Sequence, residues 1–243
     1  MRIVIKFPTR GRPDKFISTL ERYINFLSGM HEVYFVVSFD HDDHTMNNDS
    51  MLSLFNRLNL ENNHKIYPIC GNSRGKVSAI NADMDKVLAL DPEIIVLISD
   101  DMIPVLRGYD DIIAKNMIKY FPDTDGVLHF NDGSTGQDIL ITLPIVGQKY
   151  FERFGYLYYP GYKSVYCDNE FTDVARLLRK VVYSDQTIIQ HEWIGFNSPD
   201  TVHFYNESPE MYAHDEPLYD ERKARNFDLK QEEIVNNVLP SNP

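Results

Sequence analysis

The sequence has only two cysteines, Cys70 and Cys167, too few for a disulfide framework or a thiolate metal site. Each is read as a buried free thiol. No apolar run approaches the roughly 20 residues that span a bilayer. The apolar opening MRIVIKFP is broken by Lys6 and Pro8, too early for a signal-peptide core, so a soluble cytoplasmic protein is expected. Basic charge is short as well. The net charge of -12 argues against a sequence-independent grip on nucleic acid. From Gly195 onward ten acids face four bases, so half of the excess belongs to the tail. Glycine-rich signatures are also missing: no Gly-x-Gly-x-x-Gly follows the first strand, which weakens a dinucleotide-binding reading.

What remains is an ordinary globular composition, 43% hydrophobic and 12% aromatic over 243 residues, enough for a sizeable core. Strand-like and helix-like segments alternate: strands at 2–7, 33–39, 65–69 and 94–98, with helices from Asp14, over 51–58 and over 76–90. That alternation implies βαβ units and a mainly parallel sheet. Further on, strands are expected at 126–130, 139–146 and 187–193, and helices at 148–154 and 169–180. The tail reads as irregular until a helix near 231–238. No Gly-, Ser- or Pro-rich linker divides the chain, so residues 1–195 are expected to form one α/β domain with 196–243 packed on it.

Several motifs lose their first meaning on inspection. Gly71–Ser78 resembles a P-loop but is one residue short between its glycines, and Val77 stands where a magnesium-binding hydroxyl is needed. His191-Glu192 opens like a zinc-protease helix, yet Gly195 replaces the second histidine. His41-Asp42-Asp43-His44 reads as a solvated loop before a metal site. The stronger signal is Ser99-Asp100-Asp101 at the carboxyl end of the 94–98 strand, where open α/β sheets bind ligands. Two adjacent carboxylates there call for neutralisation, most simply by a hard divalent cation.

Taken in order, these segments resemble the GT-A-fold inverting nucleotide-sugar glycosyltransferases, especially family 2, from Ile3 to about Trp193. Lys6–Arg12 looks like that family's first strand and Pro-Thr nucleotide loop, and Val36–Asp40 like its second strand ending in a base-contacting acid. Asn72–Asn81 resembles the segment after the third strand, and Ile98–Asp101 falls at the Asp-x-Asp metal motif. Cys167-Asp168-Asn169-Glu170-Phe171 with Arg176 resembles the Glu-Asp-x-Asp-Leu opening of the acceptor-side helix. The resemblance implies a Rossmann-like sheet and a nucleotide-sugar donor, UDP-sugar by default, held by Pro8, Thr9, Arg10, Asp40, Asn72, Arg74, Lys76 and Asp100. It implies Mn²⁺ or Mg²⁺ on Asp101 and His191, and a catalytic base at Asp168 or Glu170, because Cys167 departs from the family's acid and leaves that register open. Asn131-Asp132-Gly133 faces an acceptor or forms a plain turn; Trp193 stacks on a sugar or fills the core. The acceptor stays unnamed. Rival readings are a sugar-phosphate nucleotidyltransferase, which the single glycine of the first loop disfavours, a binding module that has lost its base, and, more distantly, a metal-dependent phosphoesterase using 41–44.

Overall fold

The computed structural model describes residues 1–62, 65–73, 75–133, 138–192 and 209–235. Strands β1 (Arg2–Pro8), β2 (Glu32–Asp40), β3 (Lys65–Gly71) and β4 (Ile94–Leu97) pair in parallel in the order β3-β2-β1-β4. The sheet continues through β7 (Ile145–Gly147), antiparallel to both neighbours, then β6 (Val127–Phe130) and β8 (Val181–Ser184), giving seven strands. A separate two-stranded ribbon joins β5 (Met102–Pro104) to β9 (Ile189–His191). The architecture is therefore the expected mixed, mainly parallel α/β sheet.

Side chains along β1 alternate between two cores, as the period of two requires. Ile3, Ile5 and Phe7 pack with α1 (Pro13–Asn25), α2 (Asp49–Asn62) and α5 (Tyr109–Tyr120). Val4 packs with α3 (Lys76–Asn81), α4 (Met84–Leu88), α6 (Gln148–Glu152) and α7 (Cys167–Leu177). With both faces covered, the central strands read as unbroken apolar runs rather than alternating ones. Because β1 to β4 run parallel, Thr9, Asp40, Asn72 and Asp100 leave the sheet at one edge.

Lys6 lies on the second face and is fully buried. Its Nζ donates to Ser38 Oγ, which donates to Asp83 Oδ2 at 2.7 Å; Nζ itself is 3.8 Å from that oxygen. Asp83 takes the left-handed conformation, φ +59°, and breaks the helix expected over 76–90 into α3 and α4. Burial pushes the Lys6 ammonium down to about 8 against the attraction of Asp83.

Other differences have equally local causes. The strand expected at 139–146 is reduced to Ile145–Gly147. Strands β5 and β8 are three and four residues long, too short for a period to show. Helix α5 lies where no element was expected. The part of the tail expected to be irregular holds α8 (Pro209–Ala224), sixteen residues with Pro217 inside, while α9 (Gln231–Val235) lies where a helix was expected. Proline normally ends a helix; here Asp215 and Arg222, on either side of it, are both anchored in the body. No described helix is long and apolar enough to cross a membrane.

Candidate functional site

The loop after β1 stitches the strand ends together. Thr9 N–H donates to Ser38 O at 2.9 Å, which keeps the loop against β2. Arg10 Nη1 donates to Asp40 Oδ2 at 2.9 Å, and its two terminal nitrogens clasp Asp42 at 2.7 and 3.0 Å. Gly11, at φ +74°, turns its N–H onto Asp43 Oδ2 at 2.8 Å. Arg12 pairs with Asp100 across to β4. Asp40 Oδ1 also accepts the Ser73 N–H at 2.6 Å, so this one carboxylate joins the Arg10 loop to the Asn72–Ser73 loop. The hydroxyl of Thr9 is buried without a hydrogen-bond partner.

The acid pair divides its labour. Asp100 is pushed up to about 6, chiefly by burial and further by Asp101, against the pull of Arg12. Asp101 is equally buried yet is held well below the usual carboxylate range. There the His191 imidazole and the Ser99 hydroxyl, which donates to Oδ1, outweigh desolvation. Of the two, Asp101 is the more strongly held in its ionised form.

Pairing of β5 with β9 sets Met102 opposite His191. Two backbone bonds lock the register: Glu192 N–H to Asp101 O at 2.7 Å and His191 N–H to Asp132 O at 2.8 Å. His191 Nε2 comes within 3.8 Å of Asp101 Oδ2, while its buried Nδ1 has no hydrogen bond and faces Asp132 Oδ2 at 4.0 Å. An imidazole with an acid behind one nitrogen and an ionised carboxylate before the other is arranged as a ligand. No group of three or more His, Cys, Asp and Glu converges among the described residues. Two protein ligands still suit Mg²⁺ or Mn²⁺, which take remaining ligands from phosphate oxygens and water. Asp101 and His191 fit such an ion, Asp101 through a free Oδ2 and His191 through its otherwise unbonded ring. Asp132, which the sequence offered only as part of an acceptor-facing segment or a plain turn, is instead buried behind the histidine.

On the other side, α7 presents its first turn. Cys167 is buried, donates to Ser164 O at 3.2 Å, and has its thiol pushed up to about 12 by burial despite nearby Lys76. It is a packing thiol. Asp168 is half-buried, and its Oδ1 accepts the adjacent Asn169 N–H at 3.0 Å. Glu170 points elsewhere: Arg222 grips it with Nε and Nη2 at 2.7 and 2.8 Å, and Tyr162 OH donates at 2.8 Å. Both members of this ion pair are buried, and so Glu170 has no free face for a substrate. The loop bearing Asn72 and Lys76 lies against the chain before α7, with the Cβ direction of Gly75 3.5 Å from Lys163 O. Asn72 and Lys76 are exposed there. Arg74 and Trp193 lie outside the described residues. The 41–44 cluster is spent on structure: Asp42 on Arg10, Asp43 on Gly11 and Thr45, His41 beside Cys70 Sγ at 3.0 Å.

No protein-family model and no curated protein sequence matches the chain. Solved structures do. TarS of S. aureus superposes with a TM-score of 0.63 at 16% identity, over 98% of this chain and 43% of that one. Its 1–349 form in complex with UDP-GlcNAc gives 0.57 at 17% identity, over 95% and 74%. The mannosyltransferase PcManGT of Pyrobaculum calidifontis, in complex with GDP-Man and Mn²⁺, gives 0.59 at 14% identity, over 81% and 58%. The chain thus spans about half the length of the full TarS and PcManGT chains. Strand order, the acid pair at the end of β4 and these superpositions agree: the chain has the fold of the GT-A glycosyltransferases.

Proposed function

We propose that the protein is a metal-dependent, inverting glycosyltransferase that moves a sugar from a nucleotide sugar, UDP-sugar foremost, to an acceptor hydroxyl. The observation that carries this reading is the meeting of Asp101 and His191 at the carboxyl end of β4, beside the loops that Asp40 ties together. Support for the donor class comes from the similar structures, whose bound molecules are UDP-GlcNAc in one and GDP-Man with Mn²⁺ in another.

In this reading Asp40 meets the nucleobase beside the Pro8–Thr9 backbone. Its oxygens already accept from Arg10 and Ser73, but a carboxylate has about four acceptor sites, so an imide N–H can be added. That favours uracil over cytosine, which lacks the proton. Arg10, Asn72, Arg74 and Lys76 edge the donor site, and the Arg12–Asp100 pair lies on the ribose or sugar side. Asp101 and His191 would hold a divalent cation, which when bound would supply Lewis-acid relief of the charge that develops on the departing diphosphate. Asp168, at the start of α7, takes the proton of the attacking hydroxyl. Attack from the face opposite the diphosphate inverts the anomeric centre. In this reading the body up to residue 192 is the catalytic domain, and α8 packs on it through Asp215 and Arg222.

The test is incubation with UDP- and GDP-sugars and Mn²⁺, reading slow donor hydrolysis. Metal-dependent release of UDP supports the reading. Absence of both hydrolysis and metal-dependent nucleotide binding overturns it in favour of a binding fold without this chemistry.

A further inference from the structure

Helix α8 docks on the body through charge. Its two buried residues are Asp215 and Arg222, two turns apart and so on one face. Asp215 Oδ2 accepts from the N–H groups of Lys163, Ser164 and Val165 at 3.1, 2.9 and 3.0 Å, and Oδ1 accepts from Lys163 at 3.0 Å. Three successive peptide donors converging on one anion form a nest, here filled from within the chain. Those N–H groups and His214 hold the carboxyl below its usual range although burial opposes them. Arg222 holds Glu170 with two bonds and lies 3.4 Å over the Tyr159 ring.

The grips bracket one turn of chain. Asp215 fixes residues 163–165, Arg222 fixes residue 170, and Asp168 lies between. Tyr166, at the start of that turn, is held at φ +61°, an unusual conformation for a bulky side chain. Its hydroxyl is anchored on Glu216 of α8 at 3.0 Å. Tyr219 of α8 likewise donates to Asp173 Oδ2 at 2.7 Å. An exposed acidic helix tied down at this density around one half-buried carboxylate does more than cover the core.

We propose that Asp215 and Arg222 are positioning residues: through the nest and the Glu170 bridge they set the first turn of α7 and thereby aim Asp168 at the acceptor hydroxyl. This rests on the reading of Asp168 as base. A displacement of about 1 Å at such a group costs on the order of a hundredfold in rate, so the clamp is felt in turnover before it is felt in donor binding.

The experiment compares full-length wild type, Asp215→Ala, Asp215→Asn and the surface control Glu221→Gln. It measures kcat and donor KM, UDP–Mn²⁺ affinity and amide hydrogen exchange. Asp215→Ala is expected to lower kcat by about tenfold to a hundredfold with donor KM and UDP affinity unchanged. Exchange should accelerate at 163–170 and not in β1, β2 or β4. Asp215→Asn, keeping one acceptor oxygen, should fall between, and it decides the matter if the alanine variant does not fold. An unchanged kcat in a folded Asp215→Ala overturns the proposal. So does a parallel loss of donor binding and sheet protection, the mark of general destabilisation. A wild type inactive with every donor removes the base reading itself, and the proposal with it; active wild type with indifferent Asp215 variants removes the proposal alone.

Discussion

His191 Nε2 lies 3.8 Å from Asp101 Oδ2, brought there by the pairing of β5 with β9 and not by nearness in sequence. The carboxylate is held below its usual range, and Nδ1 of the imidazole has no hydrogen-bond partner among the described residues. In the proposed reading this pair holds the divalent cation.

Asp101→Ala should abolish Mn²⁺-dependent UDP binding in a protein that still folds. His191→Gln should weaken it, and Asp132→Ala, which strips the acid behind the histidine, should cost about tenfold to a hundredfold in metal affinity. Calorimetry with UDP and Mn²⁺ reads all three. Unchanged affinity in a folded Asp101→Ala would place the metal elsewhere.

Asp40→Ala should weaken UDP binding and narrow the preference for UDP over CDP. A hydrogen bond to a charged acceptor contributes about 1.5–3 kcal/mol, or roughly ten- to a hundredfold. Equal binding of UDP and CDP by the wild type would mean that Asp40 does not read the base.

Asp168 and Glu170 should fail in different ways. Asp168→Asn is expected to keep UDP-sugar binding and lose about 10²–10⁴ in transfer rate. Glu170→Gln should instead lower stability by about 1–3 kcal/mol, because it removes the buried charge partner of Arg222 and leaves that guanidinium only the exposed Asp228 carboxylate at 2.9 Å. Denaturant unfolding beside a transfer assay separates the two. Full transfer by both variants would end the carboxylate-base mechanism.

Lys6 gives the fold a pH dependence of known sign. Its folded value, about 8, lies below the unfolded 10.5, so the unfolded chain binds the extra proton between those values. Stability from this group is therefore lowest below pH 8 and recovers as pH rises towards 10.5. Lys6→Met removes the cost of the buried charge, on the order of 3 kcal/mol, along with the contact to Asp83. The stability gap between variant and wild type should shift against the variant as pH rises from 8 to 10.5. Urea unfolding of both proteins across that range checks it; parallel curves would show that Lys6 titrates normally.

The sequence by itself determined the parallel half of the sheet, because β1 to β4 are buried on both faces and must be written as apolar runs closed by polar loops. It also determined that acids gather at one edge: Asp40 and the Asp100–Asp101 pair each follow such a run directly. Helix α5 and strands β5 and β8 escaped, the strands because three or four residues carry no readable period. Tertiary structure decided the rest. The resemblance paired Asp101 with His191, but it is the β5–β9 register that brings them together, and the Asn131–Gly133 turn that sets Asp132 behind the histidine. Only packing could show which of Asp168 and Glu170 an arginine from the distant tail neutralises, since both are acids on one helical turn. The tail itself showed the sequence an excess of acid and a proline. Whether such a segment stays irregular or becomes a helix depends on anchoring its charges, and Asp215 finds its three peptide N–H partners only once α7 and the chain before it are in place.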